Sequence, residues 1–263
     1  AGITVYQPVG IFTSTSTIEI KTSTKETTMQ RLTIDTKENC YVIDNNGMNE
    51  LQQNVASSIT LEKGTFELRI ANGRYSSTSC ETSGEPSVLL WMYGVDGATF
   101  VNKTTGYTTG ATWTSLHGYS DKLQIEVSEK VVICALFLDL NTVDNQGSIQ
   151  LLVNSDKAGF TPKIVTVNSK TNCYVLDEQY ISSLKQEANC AELKPGNYFI
   201  KIKTSNATYW SDSKKFDLEP WGIVWVKGGK FISKLTGIES SETWFALNGF
   251  KDEFILEVKE TTT

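Results

Sequence analysis

Along much of this chain apolar and polar residues alternate with a period of two, the spacing that puts every second side chain of a strand on one face. Ile3, Val5, Val9 and Ile11 share one parity with Gln7 between them, and Pro8 on the other parity removes one ladder donor. Ile18 and Ile20 flank Glu19, and Phe66, Leu68 and Ile70 alternate in the same way. Residues 58–72 read as a strand, a turn at Lys63-Gly64 and a second strand. Further strands are expected at 29–34, 87–93, 99–102, 109–116, 122–127, 131–138, 148–153 and 163–167. Asp44-Asn45-Asn46-Gly47 is a turn signal, because Asn and Gly tolerate positive φ, and residues 48–55 suit a short helical turn. Strands about ten residues apart, divided by Gly-bearing turns, predict an all-β chain of sandwich or jelly-roll type.

The pattern is written twice. Cys40-Tyr41-Val42-Ile43-Asp44 recurs as Cys173-Tyr174-Val175-Leu176-Asp177, and Leu61-Glu62-Lys63-Gly64 as Leu193-Lys194-Pro195-Gly196. Glu85-Pro86 recurs as Glu219-Pro220, Thr112-Trp113 as Thr243-Trp244, Leu116-His117-Gly118-Tyr119 as Leu247-Asn248-Gly249-Phe250, and Glu126-Val127 as Glu257-Val258. The first copy runs on through the strands at 131–138 and 148–153, whereas the second stops at Thr263 before either. Their counterparts stand at the other end of the chain, in residues 3–12 and 17–21. Appended after Thr263, Ile18 falls within about a residue of the place that the repeat assigns to the counterpart of Ile149.

The expected organisation is therefore N-terminal donor strands at 1–23, a connector at 24–39, and a first β-sandwich domain, Ig-like or jelly-roll, at 40–155. A second connector follows at 156–172, and a second β-sandwich, lacking its last two strands, at 173–263. A domain without those strands has open edges and an uncovered apolar core. Residues 1–23 of the same molecule or of a neighbour are expected to fill the gap.

With 263 residues, 39% of them hydrophobic and 21% charged, each of two domains can bury a core. A formal charge of -6 speaks against nucleic acid or an anionic membrane as partner. No apolar run is long enough to span a bilayer. The chain begins at Ala1 already in a strand pattern, with no charged and apolar leader, which predicts a secreted protein at the cell surface or beyond it.

The five cysteines offer Cys173 with Cys190, and Cys40 with Cys80 or Cys134, as candidate disulfides with one thiol left over. Buried free thiols are the alternative. Asn102-Lys103-Thr104 and Asn206-Ala207-Thr208 are glycosylation sequons. His117, the only histidine, is expected in a turn beside Gly118 and not as a catalytic base. The repeated carboxylates, among them Glu85, Asp121 and Glu126, are expected at turns or exposed strand positions, so a glycosidase pair is not predicted. Residues 139–147 gather several oxygen ligands before a closing glycine, yet no terminal Glu follows at helix-loop spacing, and a hairpin turn is expected in place of a calcium loop. Trp91, Trp113, Trp225 and Trp244 read as core. No P-loop, dinucleotide fingerprint, nucleophile elbow or zinc motif is present, so neither an enzyme nor a bound cofactor or metal is predicted.

In strand order, with an N-terminal extension supplying strands that a domain lacks, the chain resembles pilus and thread subunits assembled by donor-strand complementation. The resemblance implies a structural subunit whose partner is a second copy of itself, with Ile3, Val5, Val9, Ile11, Ile18 and Ile20 on the subunit interface. The alternative is a secreted, lectin-like protein closed on itself, with Trp210, beside Tyr209 and near Asn206, and Trp221, both found only in the second copy, offering an aromatic platform to surface glycans.

Overall fold

The computed structural model describes residues 3–6, 15–22, 29–35, 40–76, 84–185, 189–205, 208–211, 214–217, 221–233 and 235–263. The N-terminal region holds β1 (Ile3–Tyr6), β2 (Thr15–Thr22) and β3 (Met29–Asp35). Next comes a short helix, α1 (Asn45–Glu50), which widens into one further turn over Leu51–Val55. The carboxylate of Asp44 accepts from Gly47 N at 2.7 Å, so the segment expected as a turn is the capped start of a helix.

The strands that follow in the first body, among the described residues, are β4 (Ser57–Ser76), β5 (Ser87–Gly94), β6 (Phe100–Asn102), β7 (Tyr107–Thr109), β8 (Ala111–His117), β9 (Leu123–Asp139), β10 (Gln146–Ser155), β11 (Lys163–Asn168) and β12 (Cys173–Val175). After α2 (Glu178–Leu184) come β13 (Cys190–Ala191), β14 (Gly196–Ser205), β15 (Thr208–Ser211), β16 (Lys214–Asp217), β17 (Trp221–Ser233), β18 (Glu239–Asn248) and β19 (Phe254–Val258). Strands dominate and the helices are short, so the chain is all-β. No helix among the described residues is long and apolar enough to cross a membrane.

The chain divides into two compact units, residues 44–176 and residues 1–43 together with 177–263. In the unit 44–176 the sheet order is β11-β10-β4-β9-β5-β8, with β12 parallel to the end of β9 and the β6–β7 hairpin beside it. The strand β9 lies against β4 along most of its length, and on its other side it pairs first with β6 and then with β5. Alternate residues of these strands, among them Phe66, Leu68, Ile70, Ile125, Val127, Ile133 and Leu151, form one buried core. Trp91, between the core residues Leu90 and Met92 of β5, faces Trp113 of β8 with the two rings tilted at 5.3 Å; both are buried, and Trp91 Nε1 donates to Gln52 Oε1 at 3.1 Å.

The other unit has the order β13-β1-β17-β19-β14-β2-β3, with β18 on β17. Its core joins Ile18 and Ile20 to Ile200, Ile202, Val224, Val226, Phe245, Phe254 and Leu256. The two stretches expected as connectors each carry an edge strand of the sheet before them, β3 on β2 and β11 on β10. The breaks between units accordingly fall at 43/44 and 176/177.

Candidate functional site: the seam of the N-terminal strands

Strand β2 lies between β14 and β3. Ile20 stands opposite Ile200 and Ile18 opposite Ile202, just as Val153 stands opposite Leu68 and Leu151 opposite Ile70 in the unit 44–176. A register shift passes over Lys203 in one ladder and over the equivalent Ala71 in the other, and Leu32 faces Ile18 as Val165 faces Leu151. The two cores are thus completed at residue-for-residue equivalent places. Ile18 and Ile20 are each 1% exposed, the burial that a core pair requires.

Glu19 points to the opposite side of β2 and is itself buried, with Lys21 at 3.0 Å and Lys203 at 3.2 Å. Burial pushes its carboxyl up, but the two lysines outweigh burial and hold it below the ordinary 4.5. The Lys203 pair joins β2 to β14, which adds a charged clamp to the apolar contact on the other face.

Strand β1 lies between β13 and β17. Thr4 faces Cys190 on one side and Trp225 on the other, as Cys134 faces Ser58 and Trp91 in the unit 44–176. The C-terminal residues lie in the same slot: Thr262 exchanges hydrogen bonds with Leu193 (2.6 and 2.8 Å), and Thr263 with Lys227 (2.9 and 3.0 Å). In the other unit the equivalent Leu61 faces Val131 of the continuous strand β9. Thr262–Thr263 and β1 therefore run end to end as one interrupted strand in the place of β9. Gly229 leaves room for this tail, since a Cβ there would strike the backbone of Glu260 and Thr261 and the Thr262 side chain.

A latch follows β3. Tyr41 Oη accepts from Asp177 N at 2.9 Å, Val42 N donates to Tyr180 Oη at 3.3 Å, and the two tyrosine rings pack at 4.8 Å. Burial pushes the Tyr41 hydroxyl up from its ordinary value. Asp177 also caps α2 by accepting from Tyr180 N at 3.0 Å. The N-terminal segment engaged by this unit thus extends from β1 to Ile43, well beyond residue 23. The sequence repeats Tyr41-Val42 as Tyr174-Val175, but nothing in it pairs Tyr41 with Tyr180.

Of the expected interface residues, Ile3 and Val5 lie in β1, Ile18 and Ile20 in β2, while Val9 and Ile11 fall outside the described residues. Neither Cys173 with Cys190 nor Cys40 with Cys134 forms a disulfide, and Cys80 lies outside the described residues. Cys173 is buried in the core of the unit 44–176, whereas Cys190 sits in β13 of the other unit. Burial raises the Cys40 thiol to about 12, which removes its thiolate at neutral pH. The sequon at Asn102 is also corrected, because that residue is 1% exposed and its side chain accepts from Thr104 N at 3.1 Å. Asn206 lies outside the described residues. Trp221 is buried in β17 and contributes nothing to an exposed platform; Trp210 lies in β15 opposite Lys215. His117 closes β8 and does not sit in a turn, with its Nε2 at 3.9 Å from Glu85 Oε1 and both side chains buried. Asp121 accepts from His117 N at 3.0 Å, as Asp252 accepts from Asn248 N at 2.9 Å, so these repeated carboxylates fasten equivalent turns.

The chain matches no family model, no curated protein and no solved structure.

Proposed function

We propose that the protein is a structural subunit of an extracellular filament, built from two tandem β-sandwich units and assembled head to tail by strand donation. Residues 1–43 of one molecule complete the unit formed by residues 177–263 of the next. One observation carries this reading: residues 1–43 and 177–263 form one unit although the whole unit 44–176 separates them along the chain. Such a unit is satisfied equally by its own N-terminal segment or by an identical one from a neighbour, the condition under which domain swapping costs little. Each molecule donates at one end and accepts at the other, so the exchange is heterologous and propagates unless the rotation closes. Buried isoleucines contribute on the order of 1.5–3 kcal/mol each, with ladder hydrogen bonds in addition, so a donated segment holds firmly. The protein acts through assembly and not through catalysis, and outside the cell its partner is itself.

A second reading keeps one supporting observation: within this single chain β1 and β2 dock into the chain's own unit. On that reading the molecule is a closed, secreted binding protein of two units. A circular permutant separates the two. Starting at Asp44, running to Thr263 and through a short linker into residues 1–43, it makes both units continuous in sequence and leaves nothing to exchange. Native protein that forms laddered species under electron microscopy and size exclusion, beside a permutant that stays monomeric, supports the filament. Native protein that is monomeric at high concentration favours the closed molecule.

A further inference from the structure

The hairpin that joins β9 to β10 ends in a buried corner of oxygen atoms. Asp139, the last residue of β9, is 7% exposed; its Oδ1 accepts from Leu140 N at 2.7 Å and its Oδ2 has no partner. Asn145, 1% exposed, donates from Nδ2 to Ser169 O at 2.7 Å and leaves its Oδ1 without a partner. Ser169, also 1% exposed, holds the adjoining turn through its N–H to Gly147 O at 3.1 Å, and its hydroxyl too is unpartnered. The Asn145 side chain reaches the Asp139 carboxyl, and the charge of Asp144 lies close enough to act on it. None of the ion pairs among the described residues includes Asp139 or Asp144.

Three buried polar groups without partners in one corner carry a desolvation penalty of about 1–3 kcal/mol each, and a carboxylate more, unless something binds them. Their chemistry states what that is. The Asn145 amide reaches the Asp139 carboxyl, but Asp139 Oδ2 and Asn145 Oδ1 are both acceptors and the single proton of the Ser169 hydroxyl can serve only one of them, so with the Asp144 carboxylate nearby the corner keeps an excess of acceptors and suits a positive group that prefers oxygen. Sulfur and imidazole are absent from the corner, which speaks against zinc. Magnesium demands a regular octahedron, while calcium accepts an irregular set of carboxylate, amide and hydroxyl oxygens completed by water.

We propose that residues 139–145 and Ser169 form a calcium site, with Asp139, Asn145 and Ser169 as direct ligands and Asp144 in the same shell or one water away. With no group of three His, Cys, Asp or Glu side chains among the described residues, the site relies on neutral oxygens and holds calcium weakly. A dissociation constant of about 10⁻⁴ to 10⁻³ M is expected, the range of extracellular modules. The ion ties the β9–β10 hairpin to the turn before β12, and Asp139 O already accepts from Leu176 N at 2.8 Å, the last residue of this unit. The site lies within residues 44–176 and does not depend on strand donation.

The test is isothermal titration of the full chain, after removal of divalent ions with EDTA, with calcium chloride and separately with magnesium chloride, beside thermal unfolding in each. Calcium is expected to bind in the stated range and to raise Tm, and magnesium to do neither at the same concentration. Asp139→Asn should fold, be no less stable than the parent in EDTA at pH 7.5, and lose the calcium response. Asp144→Asn, at a half-buried position, serves as the second variant and should weaken calcium binding roughly tenfold. Absence of a calcium-dependent heat and Tm rise in the parent means that the corner holds only water and overturns the proposal. So does a response kept at full strength in both variants.

Discussion

Ile18 and Ile20 are the residues on which the seam turns. They occupy the places of Leu151 and Val153 in the other core and are as deeply buried. Ile18→Ala or Ile20→Ala is expected to destabilise the unit of residues 1–43 and 177–263 by about 2–5 kcal/mol, with the unit 44–176 unchanged, as read by urea unfolding followed at probes in each unit. Glu19 and Asp139 should respond to pH with opposite signs. The folded value of Glu19 lies below the ordinary 4.5, so its contribution is complete above that pH and is lost as pH falls through the depressed value. Acid should therefore loosen β2, and Glu19→Gln should remove that part of the acid sensitivity, as measured by hydrogen exchange of the β2 amides. Burial, with the charge of Asp144 adding to it, raises Asp139 from 3.8 to about 6, so its contribution is complete below 3.8 and is lost as pH rises through 6. In EDTA the unit 44–176 should lose stability between these values, and calcium should restore it. Urea titrations at several pH values, with Asp139→Asn flattening the curve, check this.

Among the elements, β1, β2 and β3 with the Tyr41 latch act as one donor segment. A peptide of residues 1–43 is expected to bind a chain lacking those residues more tightly than a peptide of 1–23 binds the same chain, because β3 and the Asp177–Tyr180 contacts are added. Equal affinity by titration calorimetry would show that β3 and the latch contribute nothing. Strands β1 and β2 were legible in the sequence through alternation and through the repeat. The latch was not: Tyr41 and Tyr180 are far apart in the chain, and a hydroxyl meeting a helix cap leaves no periodic trace. Gly229 is similar. Its lack of a side chain is explained only by the C-terminal residues lying against it, and Gly229→Val should cost about 1–3 kcal/mol in that unit by displacing them.

For the whole molecule, the unit 44–176 contains every strand of its own sheet and should fold alone, giving cooperative unfolding by calorimetry after expression of those residues only. Residues 177–263 alone should not, since the interior strands β1 and β2, the edge strand β3 and the pair Ile18 and Ile20 would be missing.

The sequence by itself determined that the chain is all-β, where its main strands lie, that one pattern is written twice, and that residues near the N-terminus match strands which the second copy lacks. Those properties follow from side-chain alternation and from comparison along one line, which need no partner in space. Only the tertiary structure decided that β1 continues the line of Thr262–Thr263, that the units part at Ile43 and Leu176, that Asn102 and the His117–Glu85 pair are buried, and that Asp139, Asn145 and Ser169 are buried with a side-chain oxygen of each left without a partner. The reason is physical: burial and the loss of hydrogen-bond partners are set by whichever distant segment packs against a residue, and strand periodicity is silent about that neighbour.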